Sequence, residues 1–144
     1  MVTIDDYLKK AIFARDNISL EVARIIQKNK EEILDLNRDK QLFDKGINSD
    51  GKLLKSYSSN TIFFKKQEGK PYNRTTLFDT GAFTRSFDLL NRNNVLSIFS
   101  RDSKSSMLQD KYGTNIFGLT NENEKVYNYE IIKPELMIFL KKHL

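Results

Sequence analysis

The chain has 144 residues, of which 39% are hydrophobic and 30% are charged. This length fits one domain with its own core, and the composition is typical of a globular protein rather than a disordered or fibrous one. Cysteine is absent and His143 is the only histidine. Disulfides, thiolate zinc sites and cysteine nucleophiles are therefore excluded. A single histidine leaves almost no material for a histidine-based catalytic triad or a multi-histidine metal site, and we expect no cofactor.

The net charge is +5, from 24 Lys and Arg against 19 Asp and Glu. The basic residues are scattered, so a mixed, solvated surface explains the charge better than a dedicated nucleic-acid site. Residues 1–6 are acidic where a signal peptide is basic, and the longest apolar runs are too short to span a membrane. We expect a protein that is made and kept in a cytoplasm-like compartment, without contact to a membrane.

The N-terminal part, residues 1–46, has the pattern of two helices. Thr3 is the predicted N-cap of the first helix, with Asp6 at the capping-box position. Residues 16 and 17 break the pattern, and the second, longer helix is predicted to begin at Ser19. The apolar face of the first helix comprises Ile4, Tyr7, Leu8, Ala11 and Ile12.

The second helix is predicted to end at Gly46, because glycine readily adopts the conformation that terminates a helix. Asn29 lies within its apolar stripe. A polar residue there indicates either a contact with a neighbouring subunit or an Asn that simply reaches solvent, and both alternatives stay open.

The middle part, residues 47–100, is predicted to be rich in turns and strands. Residues 48–51 have the composition of a turn but not the spacing of a calcium loop. Residues 52–78 are ambiguous, because 61–64 favour a strand whereas 65–68 favour a helix.

Two strands are predicted at residues 83–90 and 95–99, joined by a hairpin connection at residues 91–94. The second strand carries apolar side chains on both faces, so both faces require cover, from helices or from another subunit.

The last part, residues 101–144, begins with a charged loop. It is predicted to contain a helical turn closed by Gly113, a short helix capped by Thr120 and a final helix that starts at Pro134. The sequence thus predicts a single α+β domain, with N-terminal helices and a C-terminal helix packed on a small antiparallel sheet.

Asp79, Thr80 and Gly81 form the one motif typical of a catalytic site. Asp-Thr-Gly resembles the active-site loop of retropepsin-like aspartic proteases, in which two carboxylates share a proton. No glycine occurs between Gly81 and Gly113, so the glycine-rich flap of such enzymes is missing. We therefore interpret the motif as a structural turn, in which Gly81 supplies a positive φ and the two polar side chains cap the turn.

The order of several short motifs resembles the virion-morphogenesis proteins of tailed phages, a family of neck and tail-completion (head–tail connector) proteins. The matching segments are residues 51–57 (GKLLKSY), 65–69 (KKQEG), 77–87 (LFDTGAFTRSF) and 112–122 (YGTNIFGLTNE). The tryptophan that is usual in the first motif is absent here.

This resemblance implies a structural subunit without an active site, which self-associates in a ring and docks to portal, connector or tail proteins. It implies a location in the neck or tail of the virion after assembly in the host cytoplasm, with DNA in the ring lumen as a further contact. The residues predicted to make oligomer or partner contacts are Asn29, Tyr57, Arg101, Lys104 and Lys111.

Two other functions are weighed against this one. A nucleic-acid-binding regulator is motivated by a pI near 9.3 and by aromatic side chains beside lysines at Tyr57, Phe63 and Phe64. A retropepsin-like protease that uses Asp79 is the third possibility.

Overall fold

The computed structural model describes residues 1–144. Helices account for 61% of the residues, and the sheet consists of two antiparallel strands, so the chain is α+β as predicted. The α-helices are α1 (Ile4–Lys28), α2 (Lys30–Asn37), α3 (Ser59–Gln67), α4 (Ala82–Arg85), α5 (Ser105–Tyr112), α6 (Asn121–Val126) and α7 (Lys133–His143). The strands are β1 (Phe87–Arg92) and β2 (Val95–Ser100), and no helix is both long and apolar enough to cross a membrane.

Helix α1 begins at the predicted capping box, in which Thr3 Oγ1 accepts from the Asp6 N–H at 3.2 Å. The predicted break at residues 16 and 17 is wrong, because α1 continues through them. Asn17 donates its side-chain N–H to the Phe13 carbonyl at 2.8 Å, so this polar side chain is satisfied without leaving the helix. The break lies instead at Asn29, where φ is −103° and ψ is 20°.

Helix α2 leads into a π-helical turn, Arg38–Phe43, and the helical run ends before Gly46 as predicted. Gly46 has a φ of +64°, and a Cβ atom there would lie 2.9 Å from the Thr75 carbonyl oxygen. Only glycine fits this position without strain, because the left-handed conformation and the close backbone approach both penalise a side chain.

The ambiguous segment 52–78 contains a helix, α3, and no strand. Ser58 caps α3 by accepting from the Thr61 N–H at 3.2 Å. The ambiguity is thus resolved in favour of a helix, because the capped start and the helix formers at residues 65–67 outweigh the β-propensity of Thr, Ile and Phe at residues 61–64.

Strands β1 and β2 form the predicted hairpin, with Phe87 opposite Ser100 and Arg92 opposite Val95. Asn93 and Asn94 form its turn with φ values of 52° and 63°, the conformation in which Asn is tolerated best after glycine. The first strand starts later than predicted, because residues 82–85 form the short helix α4.

The C-terminal part has the predicted stops and caps. Helix α5 ends at Gly113, whose φ is +97°, and the Thr120 side chain accepts from the Asn123 N–H at 3.2 Å. Helices α6 and α7 are joined by a π-helical turn, Tyr127–Ile132, so that Pro134 lies in the first turn of α7 rather than after a loop. A π-helical turn changes the local backbone pairing, which lets the helical run accommodate the missing N–H of proline.

The buried apolar side chains form two clusters that meet at α2. The main cluster comprises Leu34, Leu42, Leu54, Leu77, Phe83, Phe87, Ile98 and Ile116. The second cluster comprises Ile26, Ile33, Leu36 and Ile131. The inner face of the hairpin packs on this core, whereas its outer face leaves Leu90 and Val95 42% and 65% exposed. Within one chain, therefore, only one of the two apolar strand faces is covered.

Candidate functional site

A cleft of about 390 Å³ opens between α3, the segment 77–83 and α5. Its apolar lining includes Phe64, Leu77, Phe83, Met107 and Leu108. Its polar lining includes Tyr57, Glu68, Asp79, Thr80, Lys65, Lys104 and Lys111. The size is that of a site for a small molecule or for a few side chains of a partner.

The Asp79-Thr80-Gly81 turn forms one edge of this cleft. Gly81 has a φ of +87° and precedes α4, and Thr80 Oγ1 accepts from the Ala82 N–H at 3.3 Å. Asp79 does not cap the turn. Its carboxylate accepts from Lys70 Nζ at 3.1 Å, and this hydrogen bond holds the pKa of Asp79 below its ordinary value.

Lys65 lies beneath the cleft and is only 7% exposed. Its Nζ donates to the Phe78 carbonyl at 2.9 Å and lies 4.8 Å from the centre of the Tyr57 ring. No carboxylate lies within ion-pair distance of this ammonium group. The charge of Lys65 nevertheless contributes to the lowered pKa of Asp79, so an acidic side chain of the same cleft partly compensates this buried ammonium group.

Tyr57 holds in place the segment at residues 76–77, which contributes to the lining of the cleft. Its hydroxyl accepts from the Thr76 N–H at 2.9 Å, and the next residue, Leu77, is buried with a φ of 59°. A left-handed leucine is sparsely populated and persists only where its surroundings hold it. The hydrogen bond from Thr76 and the packing of Leu77 in the main cluster supply this support.

The fold brings together Tyr57, Asp79, Thr80, Gly81, Lys104 and Lys111, which all line the cleft. Asn29 lies elsewhere, at the junction of α1 and α2, where its side-chain N–H donates to the Ile25 carbonyl at 2.9 Å. Tyr57 and Lys104 are far apart in the sequence, so only the folded chain shows that they line the same cleft.

Arg101 lies on the outer face of the hairpin, away from the cleft lining. Its guanidinium group donates to the Asp88 carboxylate at 2.9 Å and lies 5.1 Å from the centre of the Phe99 ring. Lys30 also contacts Asp88, at 2.7 Å. Hydrogen bonds from Lys30 and then from the Leu89 N–H and Arg101 lower the pKa of Asp88 to about 2.

A second unusual surface is the start of α1, residues 1–12, which we call the α1 tip. Helix α7 runs alongside the later turns of α1, and Phe13 stacks on His143 with ring centres 4.9 Å apart. Before Phe13, the predicted apolar face lacks cover: Ile4 is 84%, Leu8 56% and Ile12 40% exposed. A stripe of this kind is ordinarily buried against a partner.

Sequence reasoning missed a pair of buried amides, Asn37 and Gln41. Asn37 donates to the Ile116 carbonyl at 2.9 Å and accepts from the Gly118 N–H at 3.0 Å. Gln41 donates to the Gly118 carbonyl at 2.9 Å and accepts from the Thr120 N–H at 2.9 Å. Their spacing of four residues on one helical face is the only signal that could have indicated them.

No group of three or more His, Cys, Asp or Glu side chains is placed so that it could hold a metal ion. Comparisons of the chain with protein-family models, with curated proteins and with solved structures give no match.

Proposed function

We propose that this chain is a structural subunit of a tailed-phage neck or tail, a head–tail connector or tail-completion protein without catalytic activity. It acts by self-association in a ring and by docking to portal or tail proteins of the virion. The observation that carries the proposal is the exposed apolar stripe of the α1 tip, because a helix with such a stripe is stable in water chiefly when a partner covers it.

The outer face of the hairpin supports the same proposal. Leu90 and Val95 are exposed there, beside the partly buried Phe99, whose ring contacts Arg101. Two separate apolar surfaces on one small chain are expected of a subunit that contacts more than one neighbour, since monomeric proteins rarely leave such patches open.

The segments that carry the phage resemblance are largely those that build the main cluster. Five of its eight residues, Leu54, Leu77, Phe83, Phe87 and Ile116, lie in these segments. In this chain, therefore, the motifs that resemble the phage family supply much of the core. The proposal of assembly depends instead on the exposed apolar surfaces.

The environment of Asp79 argues against the protease alternative. An aspartic protease requires two carboxylates that share a proton, which raises the pKa of one of them. Asp79 instead pairs with Lys70, which lowers its pKa. We expect Asp79→Asn to leave assembly unchanged, with no peptidase activity to lose.

The lysines and aromatic rings of the cleft keep a nucleic-acid-binding regulator as the second candidate. Tyr57 and Lys65 make internal contacts, however, so neither is free to stack on a base or to reach a phosphate. Tight, sequence-selective DNA binding that survives physiological salt would favour this candidate over ours, whereas weak, salt-sensitive binding is expected of any basic surface.

The proposal is tested by the native mass of the protein, alone and mixed with particle components. We expect oligomers or complexes, and we expect Leu8→Asp to abolish the association that the α1 tip supports. Leu53→Asp is the matched control, because Leu53 is also exposed but lies outside the tip. A strict monomer that binds neither itself nor any particle component would contradict the proposal.

A further inference from the structure

We infer that residues 76–81, which we call the strap, open and close as a local unit at one edge of the cleft. The inference goes beyond the proposed function and does not depend on association between subunits. All strap residues except Thr76 line the cleft. Opening of the strap therefore moves one edge of the cleft and exposes the side chain of Leu77, which is buried while the strap is closed.

The strap is held by side chains rather than by a backbone ladder. None of the backbone–backbone hydrogen bonds of the chain involves residues 71–80, although Thr76 is completely buried. Buried backbone groups are nearly always paired, so the side chains that pair with this segment decide whether it stays closed. A segment with so little backbone hydrogen bonding opens at a lower free energy than the helices and strands around it.

Two side chains provide the central hydrogen bonds of the strap, which we call the latch bonds. The Tyr57 hydroxyl accepts from the Thr76 N–H at 2.9 Å, and Lys65 Nζ donates to the Phe78 carbonyl at 2.9 Å. The latch bonds thus lie on either side of Leu77. They also account for the burial of Lys65, because its ammonium group has to lie against the strap to donate to this carbonyl.

The residue between the latch bonds has a strained backbone. Leu77 has a φ of 59°, a conformation that leucine adopts only where its surroundings enforce it. The latch bonds and the packing of Leu77 in the main cluster enforce it here. Once a latch bond is lost, relaxation of Leu77 to a negative φ relieves the strain, so the strain favours the open strap.

The far end of the strap is held by weaker contacts. Asp79 accepts from Lys70 Nζ at 3.1 Å, and the Thr80 carbonyl accepts from the Arg85 side chain at 3.1 Å. The Asp79 side chain is 73% exposed, so water competes for its ion pair. The Gly81 carbonyl accepts from the Arg85 N–H at 2.9 Å, so regular backbone hydrogen bonding resumes where the strap ends.

Hydrogen exchange at single amides tests whether the strap opens locally. We expect the amides of Thr76 and Phe78 to exchange at rates that hardly depend on low concentrations of urea. The amides of Leu34 and Leu36, on the buried side of α2, should exchange only when the whole chain unfolds, at rates that rise steeply with urea. Equal protection of the two sets at every urea concentration would overturn the inference.

Two variants each remove one latch bond and little else. Tyr57→Phe deletes the hydroxyl group and keeps the ring, and Lys65→Met deletes the ammonium group and keeps an unbranched side chain. We expect each to speed exchange of the two strap amides about tenfold, because the lost hydrogen bond stabilises only the closed strap. Tyr129→Phe and Lys66→Met are the matched controls, since both side chains are exposed, and they should leave this exchange unchanged.

A substitution in the core separates local opening from global unfolding. Ile33 is completely buried in the second cluster, so Ile33→Val should speed exchange of the α2 amides about threefold or more. It should leave the strap amides unchanged, because the strap opens without unfolding α2. Acceleration of both sets by Ile33→Val, or equal acceleration by the latch variants and their matched controls, would overturn the inference. Neither result bears on the proposed function, which depends on association and is measured by the native mass.

Discussion

The buried amides Asn37 and Gln41 hold the segment 116–120 against the helical run that begins with α2. Asn37 is fully buried and serves both a backbone carbonyl and a backbone N–H. Asn37→Ala would leave both groups without a partner in the interior. A buried backbone group that loses its hydrogen bond lowers the stability of the folded state. On the surface, where water replaces the lost partner, an Asn→Ala substitution is nearly neutral.

We therefore expect Asn37→Ala to lower the free energy of unfolding by about 2–4 kcal/mol, measured by urea denaturation. Asn60→Ala is the control, because Asn60 is exposed on α3, and its effect should stay within about 0.5 kcal/mol. Equal effects of the two substitutions would mean that the amide does not support the segment.

Asp88 gives the protein a specific sensitivity to acid. Its pKa in the folded state is about 2, below the ordinary value of 3.8, because Lys30, the Leu89 N–H and Arg101 stabilise the ionised carboxylate. A lowered pKa contributes stability that is fully present above the unfolded pKa and is lost as the pH falls toward the folded pKa. The contribution of Asp88 should therefore disappear between pH values of about 4 and about 2.

The expected result is that Asp88→Asn lowers the free energy of unfolding near neutral pH and has a much smaller effect near pH 2. Denaturation of both proteins over this range measures the difference, and an NMR titration should place the carboxyl midpoint at about 2. A midpoint near 3.8 would show that the three partners do not hold the carboxylate.

At the scale of single elements, the turn of the hairpin consists of Asn93 and Asn94, which both adopt the left-handed backbone conformation. Glycine adopts this conformation without steric cost, and Asn-Gly is the favoured pair for a two-residue turn. We expect Asn94→Gly to raise the melting temperature slightly, equivalent to about 0.5 kcal/mol, and Asn94→Val to lower it. A lower melting temperature for the glycine variant would mean that the contact of Asn94 with Ser19, at 3.3 Å, matters more than the turn.

The ends of helices could be predicted from the sequence wherever they depend on interactions between residues close together in the chain. The capping box at Thr3, the stop at Gly46 and the cap at Thr120 could be predicted, because each depends on hydrogen bonds or φ values within a few residues. The boundary at residues 16 and 17 could not, since an Asn within a helix can bond to the preceding turn, as Asn17 does. Asn29 makes the same hydrogen bond and yet ends the helix, so this local bond does not distinguish the two positions.

For the whole molecule, assembly should appear in its thermal stability. Association that involves only the folded state stabilises that state by mass action, so the melting temperature of an oligomer rises with protein concentration. We expect such a rise for the natural sequence and a concentration-independent melting temperature for Ile12→Asp. Because Ile12 is exposed within one chain, the two proteins should melt alike at high dilution. A melting temperature of the natural sequence that does not depend on concentration would contradict self-association.

The candidate site was predictable only in part. Tyr57, Asp79, Lys104 and Lys111 stood out in the sequence as aromatic, motif or charged-loop residues, but nothing in their spacing indicated a shared cleft. Burial of Lys65 was not predictable either, because a lysine in a helix is ordinarily solvated and the segment itself was ambiguous. Arg101 belongs to a different surface, and its pairing with Asp88 depends on the hairpin register.

The α+β class, the capped helix starts, the glycine stops and the hairpin follow from the order of the residues, because they depend on interactions between near neighbours in the chain. The apolar face of the first helix is likewise visible in the sequence. That this face stays uncovered at the α1 tip, and that a cleft lined by lysines and two carboxylates opens elsewhere, depends on the tertiary structure. An amphipathic pattern predicts that one face of a helix favours burial. Which part of the protein, or of a partner, covers that face depends on long-range packing.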